Sequence, residues 1–154
     1  MATLTITHTE SLTLNGSDEG KTNTQSITGI NDVYKRIVTC TNDVDTTVAV
    51  FKAAANTGDS AIDIENVKYI RITNLDSADP VHLCLQVDQG TDGADDQATI
   101  HLAAKQSFIM GKADEGISAT DDATVDTTLF DLESIIAHPT GADTLQVEVF
   151  IATT

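Results

Sequence analysis

Residues 67–87, VKYIRITNLDSADPVHLCLQV, constrain the fold more than any other part of this chain. Two runs alternate apolar and polar residues. In the second, Val81, Leu83, Leu85 and Val87 fall on one side and His82, Cys84 and Gln86 on the other. A period of two belongs to a strand with one buried face, because successive side chains of an extended backbone point to opposite sides. Between the runs lies Asn74-Leu75-Asp76-Ser77-Ala78-Asp79-Pro80. Its short polar side chains cap their own backbone and its proline fixes φ, so the chain turns there.

The same reading extends along the chain. A strand, or two short ones, is expected over residues 2–14, ending at the turn Asn15-Gly16, and a polar loop over 17–28. Strands follow at 32–41 and 46–53, with a short strand or turn at 61–64. Another runs over 99–110, with a bend at Ala103-Ala104. Residues 112–122 read as an acidic loop. Residues 131–138 fit either one or two helical turns, with Leu132, Ile135 and Ile136 on one face, or a strand. Residues 144–152 alternate Leu145, Val147, Val149 and Ile151 with polar partners. Eight to ten strands with turn signals every 8–14 residues predict an all-β, two-sheet β-sandwich, jelly-roll-like, with an Ig-like sandwich as competitor. With no linker composition and no internal repeat, one sandwich domain is expected over 1–154. Ile70, Ile72, Leu83, Leu85, Leu102, Val147 and Val149 are its expected shared core.

Composition agrees. Only 40% of the 154 residues are apolar and 4% aromatic, so the core must be built from aliphatic side chains and threonine. The net charge of −16 repels phosphate and anionic lipid headgroups, which argues against nucleic-acid and membrane partners. Cys40 and Cys84 sit in apolar strand contexts and are expected to be buried free thiols. The start Met1-Ala2-Thr3-Leu4-Thr5 does not read as a signal peptide, so synthesis in a host cytoplasm is expected.

The order Ile70-Arg71-Ile72-Thr73-Asn74-Leu75-Asp76, then 81–87, then Ile100-His101-Leu102-Ala103-Ala104-Lys105-Gln106-Ser107-Phe108-Ile109-Met110 resembles small structural proteins of tailed-phage virions. In those proteins an "ItNlD" strand end, an apolar strand and an "L-x-A-G-[ED]-S-F-x-L" strand follow in that order. Residues 145–152 resemble their usual last strand. One departure is that Ala104-Lys105 stands where a Gly-acid pair is usual. The resemblance covers the C-terminal half. It implies a virion component, a capsid decoration or cement protein, and carries no catalytic residue.

Constellations for chemistry are sparse. Asp88, Asp92, Asp95 and Asp96, with Gly90 and Gly93, offer oxygen ligands on a glycine-bearing loop, the ingredients of a Ca²⁺ site without EF-hand spacing. They are weak candidates, and a solvated acidic loop is the simpler expectation. His8, His82, His101 and His138 are scattered. His82 and Cys84 share a sheet face and His101 is a candidate to lie across from them, but zinc-site spacings are missing. Neither a G-x-S-x-G elbow nor a Ser–His pairing is recognisable, and sugar platforms are scarce, with no tryptophan. The expectation is a non-enzyme without cofactor. Its expected partners are the major capsid protein and copies of itself, as a dimer or trimer, on the outer capsid surface of a virion. A tail- or fibre-associated protein is the alternative within that class, and a Ca²⁺- or carbohydrate-binding β-sandwich the alternative outside it. The ends 1–6 and 150–154 are strand-like and are expected to reach a neighbouring subunit.

Overall fold

The computed structural model describes residues 1–53, 60–88, 96–119, 124–141 and 143–154. In chain order the strands are β1 (Ala2–Thr9), β2 (Thr13–Leu14), β3 (Ser17–Asp18), β4 (Thr22–Ile30), β5 (Asp32–Cys40), β6 (Thr46–Lys52) and β7 (Ile62–Asp63). After a single 3₁₀ turn at Ile64–Asn66 come β8 (Val67–Asn74), β9 (Val81–Asp88), β10 (Asp96–Leu102), β11 (Ser107–Met110), β12 (Asp131–Pro139) and β13 (Leu145–Thr153). The all-β, two-sheet sandwich expected from the alternating runs is what forms. One sheet has the order β10-β9-β12-β6-β7 and the other β11-β8-β13-β5. All pairings are antiparallel except the short β6–β7 contact.

The two inner faces meet in an aliphatic core. Ile70, Ile72, Leu83, Val147 and Val149 are fully buried, and Leu85 and Leu102 nearly so. All seven expected core residues therefore belong to one cluster, joined by Leu132, Ile135, Leu145 and Ile151. Hydrophobic burial of this kind is the main drive for closing the two sheets on each other.

The turn after β8 is built as its side chains demand. The Asp76 carboxylate accepts from the backbone N–H groups of Ala78 and Asp79, each at 2.8 Å, and Asp76 N–H donates to Asn74 Oδ1 at 3.0 Å. The hydrogen bond from Asp79 N–H, and then that from Ala78, hold the Asp76 carboxyl below the usual carboxylate range. Asn74 is completely buried. Its side-chain amide donates to the carbonyls of Asp79 (2.9 Å), Leu102 (3.3 Å) and Ala103 (3.3 Å), tying the end of β8 to the crossing between β10 and β11.

Several boundaries differ from the sequence reading. Residues 17–28 are not a loop: they contain β3 and most of β4. Residues 99–110 are two strands in opposite sheets, separated by a turn in which Lys105 adopts φ +64°. Residues 131–138 are strand, because β12 is flanked by β9 and β6, and a helix there would leave the facing edge of each without backbone partners. The sandwich itself is built from residues 32–153, and the first thirty residues form a separate two-stranded sheet, β1 with β4.

Candidate docking surfaces

The β1–β4 hairpin is an arm. Its tip closes through β2–β3, where Asn15 (φ +51°) and Gly16 (φ +83°) form the two central residues of a type I′ turn. Near its base, Gly29 (φ +82°) takes up the register shift between Ala2↔Ile30 and Thr3↔Thr28, a bulge that needs a residue without a Cβ. The chain then turns at Asn31, whose N–H donates to Thr153 O at 2.9 Å, and enters β5.

The two faces of the arm differ. One carries Leu4, Ile6 and Ile27, which with Ile30 pack on Tyr69, Phe150 and Ala152 of the four-stranded sheet. The other is a ladder of hydroxyls: Thr3↔Thr28, Thr5↔Ser26, Thr7↔Thr24 and Thr9↔Thr22 face each other in register. Thr7 and Thr24 touch through their hydroxyls at 3.4 Å, as do Thr22 and Thr9. Toward the tip both faces are solvated, and Leu12 and Leu14 are each 55% exposed. β1 and β4 pair only with each other, so each keeps an outer edge of backbone donors and acceptors open.

Where the arm lifts from the sheet it leaves a groove of about 450 Å³ lined by Leu4, Ile6, His8, Tyr69, Ile109 and Phe150 together with Lys35 and Arg71. Two of the chain's eight Lys and Arg residues thus meet here. One carboxylate bridges them: Glu148 pairs with Arg71 and lies 3.5 Å from Lys35. Arg71 also sits 5.7 Å from the Phe150 ring centre, and Tyr69 meets Phe150 edge-on at 6.1 Å. Burial pushes the Tyr69 phenol up, with Arg71 opposing weakly. The floor of the groove is therefore an aromatic and ion-paired surface.

The outer face of the five-stranded sheet carries a second grouping. His101 stands opposite His82, as the shared face of His82 and Cys84 foreshadowed, and His138 stands opposite His82 on the other side. Three imidazoles thus form a row across β10, β9 and β12. His82 and His101 have ring centres 5.3 Å apart at 66°. His138 is engaged elsewhere, with Nδ1 2.8 Å from Asp45 Oδ1 and Nε2 3.6 Å from Asp43 Oδ1. Cys84 donates its thiol to Gln97 Oε1 at 3.1 Å. Its pKa is raised first by burial and then by Asp45, so it stays a thiol. Cys40 is fully buried, its pKa also raised by burial, and neither cysteine is in a disulfide. The position of His138 was missed from sequence, because cross-strand register depends on bulges such as that between Leu132 and Ser134.

Of the Ca²⁺ candidates, Asp92 and Asp95 lie outside the described residues. Asp88 ends β9, and Asp96 opens β10, exposed. The serines that make side-chain contacts turn to other groups than imidazoles: Ser134 donates to Gln86, Ser118 to Asp126, and Ser107 pairs with Thr73. Among the described residues no helix is long and apolar enough to cross a membrane. The expected reach of both chain ends to a neighbour needs one correction. Residues 150–153 close β13 in the middle of its sheet, between β8 and β5, and so have no free edge to offer. No family model, curated protein or solved structure matches this chain.

Proposed function

We propose that this chain is a non-enzymatic structural protein of a tailed-phage virion, a capsid decoration or cement protein that bridges and stabilises major capsid subunits on the outer shell. The observation that carries the reading is the hairpin arm. It is an element with two open edges and two exposed leucines, Leu12 and Leu14, near its tip, outside a sandwich that already has its own core. The open edges and the exposed leucines of such an element suit contact with a neighbour by strand addition. The net charge of −16 favours the shell's outside over the DNA-lined inside. The order of the sandwich strands supports a jelly roll over an Ig-like sandwich: among the eight principal strands only β9 and β10 are joined as a hairpin within one sheet, and every other connection crosses between sheets.

Contact through exposed leucines and backbone edges depends little on ionic strength, whereas contact through the acidic surface alone weakens as salt rises. The test is copy number in purified particles. Hundreds of copies per particle, retained through a high-salt wash, support a cement role. A handful of copies supports a tail position, and absence from particles ends the proposal.

A further inference from the structure

We propose that the His82–His101 pair on the outer face of the five-stranded sheet is a binding site for a divalent late transition-metal ion, with the two imidazoles as its protein ligands and water in the remaining positions. The proposal is independent of the virion reading.

A Zn–N bond is about 2.0–2.1 Å, and the ring centre lies a little over 1 Å behind the nitrogen. Two imidazoles on a tetrahedral ion therefore have ring centres about 5.2 Å apart. His82 and His101 have theirs 5.3 Å apart. The spacing is fixed by the backbone, since the two residues are direct cross-strand partners in an unbroken stretch of the β9–β10 ladder. The rings meet edge-on at 66°, so turning a nitrogen of each toward one ion takes side-chain rotation but no shift of the strands.

The neighbours decide the class of ion. Imidazole nitrogen suits Zn²⁺, Ni²⁺ and Cu²⁺ and is a poor ligand for Ca²⁺ or Mg²⁺, which demand oxygen. The next pairs along the same face are Cys84 with Thr99, and Gln86 with Gln97. Cys84 points its thiol at Gln97 Oε1, 3.1 Å away, and so is engaged one pair further along the ladder from the two imidazoles. His138, the third imidazole of the row, is tied to Asp45 and Asp43 and does not complete a three-residue site. Among the described residues no three His, Cys, Asp or Glu side chains stand ready to hold one ion. Two protein ligands and open positions predict moderate affinity and an exchangeable ion rather than a permanent structural one.

The test is titration of the full-length protein with Zn²⁺ or Ni²⁺ in a non-coordinating buffer at neutral pH. Calorimetry gives the stoichiometry, and NMR of the histidine rings locates Ni²⁺ by paramagnetic broadening. One ion per chain is expected, with broadening strongest at His82 and His101. His82→Ala and His101→Ala should each weaken binding at least tenfold, whereas His8→Ala should change it less than threefold. Unaltered thermal unfolding of the metal-free variants shows that they remain folded, and His82→Gln and His101→Gln serve if the alanine variants do not. No binding, binding unchanged in the His82 and His101 variants, or broadening centred on another histidine would each overturn the site.

Discussion

Asn74→Asp is an isosteric change with a large expected effect. The Asn74 amide is completely buried and offers two N–H groups to three backbone carbonyls, at 2.9, 3.3 and 3.3 Å. A neutral hydrogen bond contributes about 1 kcal/mol net, and a buried polar group left unpaired costs about 1–3 kcal/mol. Asn74→Ala should therefore destabilise by about 3 kcal/mol. Asn74→Asp is worse at neutral pH: one carboxylate oxygen keeps the Asp76 N–H, but the other replaces the amide nitrogen and faces three carbonyl oxygens with no donor between them. A loss of about 5 kcal/mol is expected, a large part of the 5–15 kcal/mol that holds a typical domain folded. The sign with pH follows from the same contacts. The carbonyls favour the protonated acid, which can still donate, so the folded pKa of the introduced carboxyl lies above its unfolded value of about 3.9. The variant is closest to the wild type below that pH and falls away from it as pH rises toward 7. Urea unfolding of wild type, Asn74→Ala and Asn74→Asp at pH 4.5 and 7 measures this directly, from midpoint shifts at constant slope. An Asn74→Asp loss under 1 kcal/mol at pH 7, or one that does not change with pH, would refute the reasoning.

Leu85→Ala, at a site only 2% exposed in the shared core, should cost about 2–4 kcal/mol by urea unfolding, while Ile37→Ala, at a 57% exposed site on the outer face of β5, should cost under about 0.5 kcal/mol. Non-reduced mass spectrometry should find two free thiols. A thiol reagent should modify Cys84 before Cys40, whose reaction waits on unfolding. Asp76 has a folded pKa below its unfolded value, so its contribution is present above about pH 4 and is lost as pH falls through the folded pKa. Asp76→Ala should accordingly lower the urea midpoint at pH 7, and the gap to wild type should close in acid.

The sandwich was legible because its strands are buried on one face. Ile70, Ile72, Leu83 and Leu85 alternate with polar residues, and alternation is the direct imprint of a pleated strand on a core. The turn at residues 74–80 was legible because Asn74 and Asp76 act on their own local backbone. The arm was only half legible. Its Asn15-Gly16 turn was plain, but β4 from Thr22 to Gln25 is solvated on both faces and shows no apolar period, and only its repeated threonines mark it as strand. β12 read equally as helix because Leu132, Ile135 and Ile136 fit both periods, and its two partners decided the matter. The imidazole row was the least legible feature. Placing His138 beside His82 requires the register between strands roughly fifty residues apart, which no local pattern encodes.

On the proposed reading the protein works by contact on the outside of a phage head, with the arm as its reaching element. A reconstruction of the intact particle tests this most directly. Density for the sandwich is expected on the outer capsid surface, with residues 2–30 touching a neighbouring subunit. Density inside the shell, density only at the tail, or an arm that contacts nothing beyond its own sheet would contradict it.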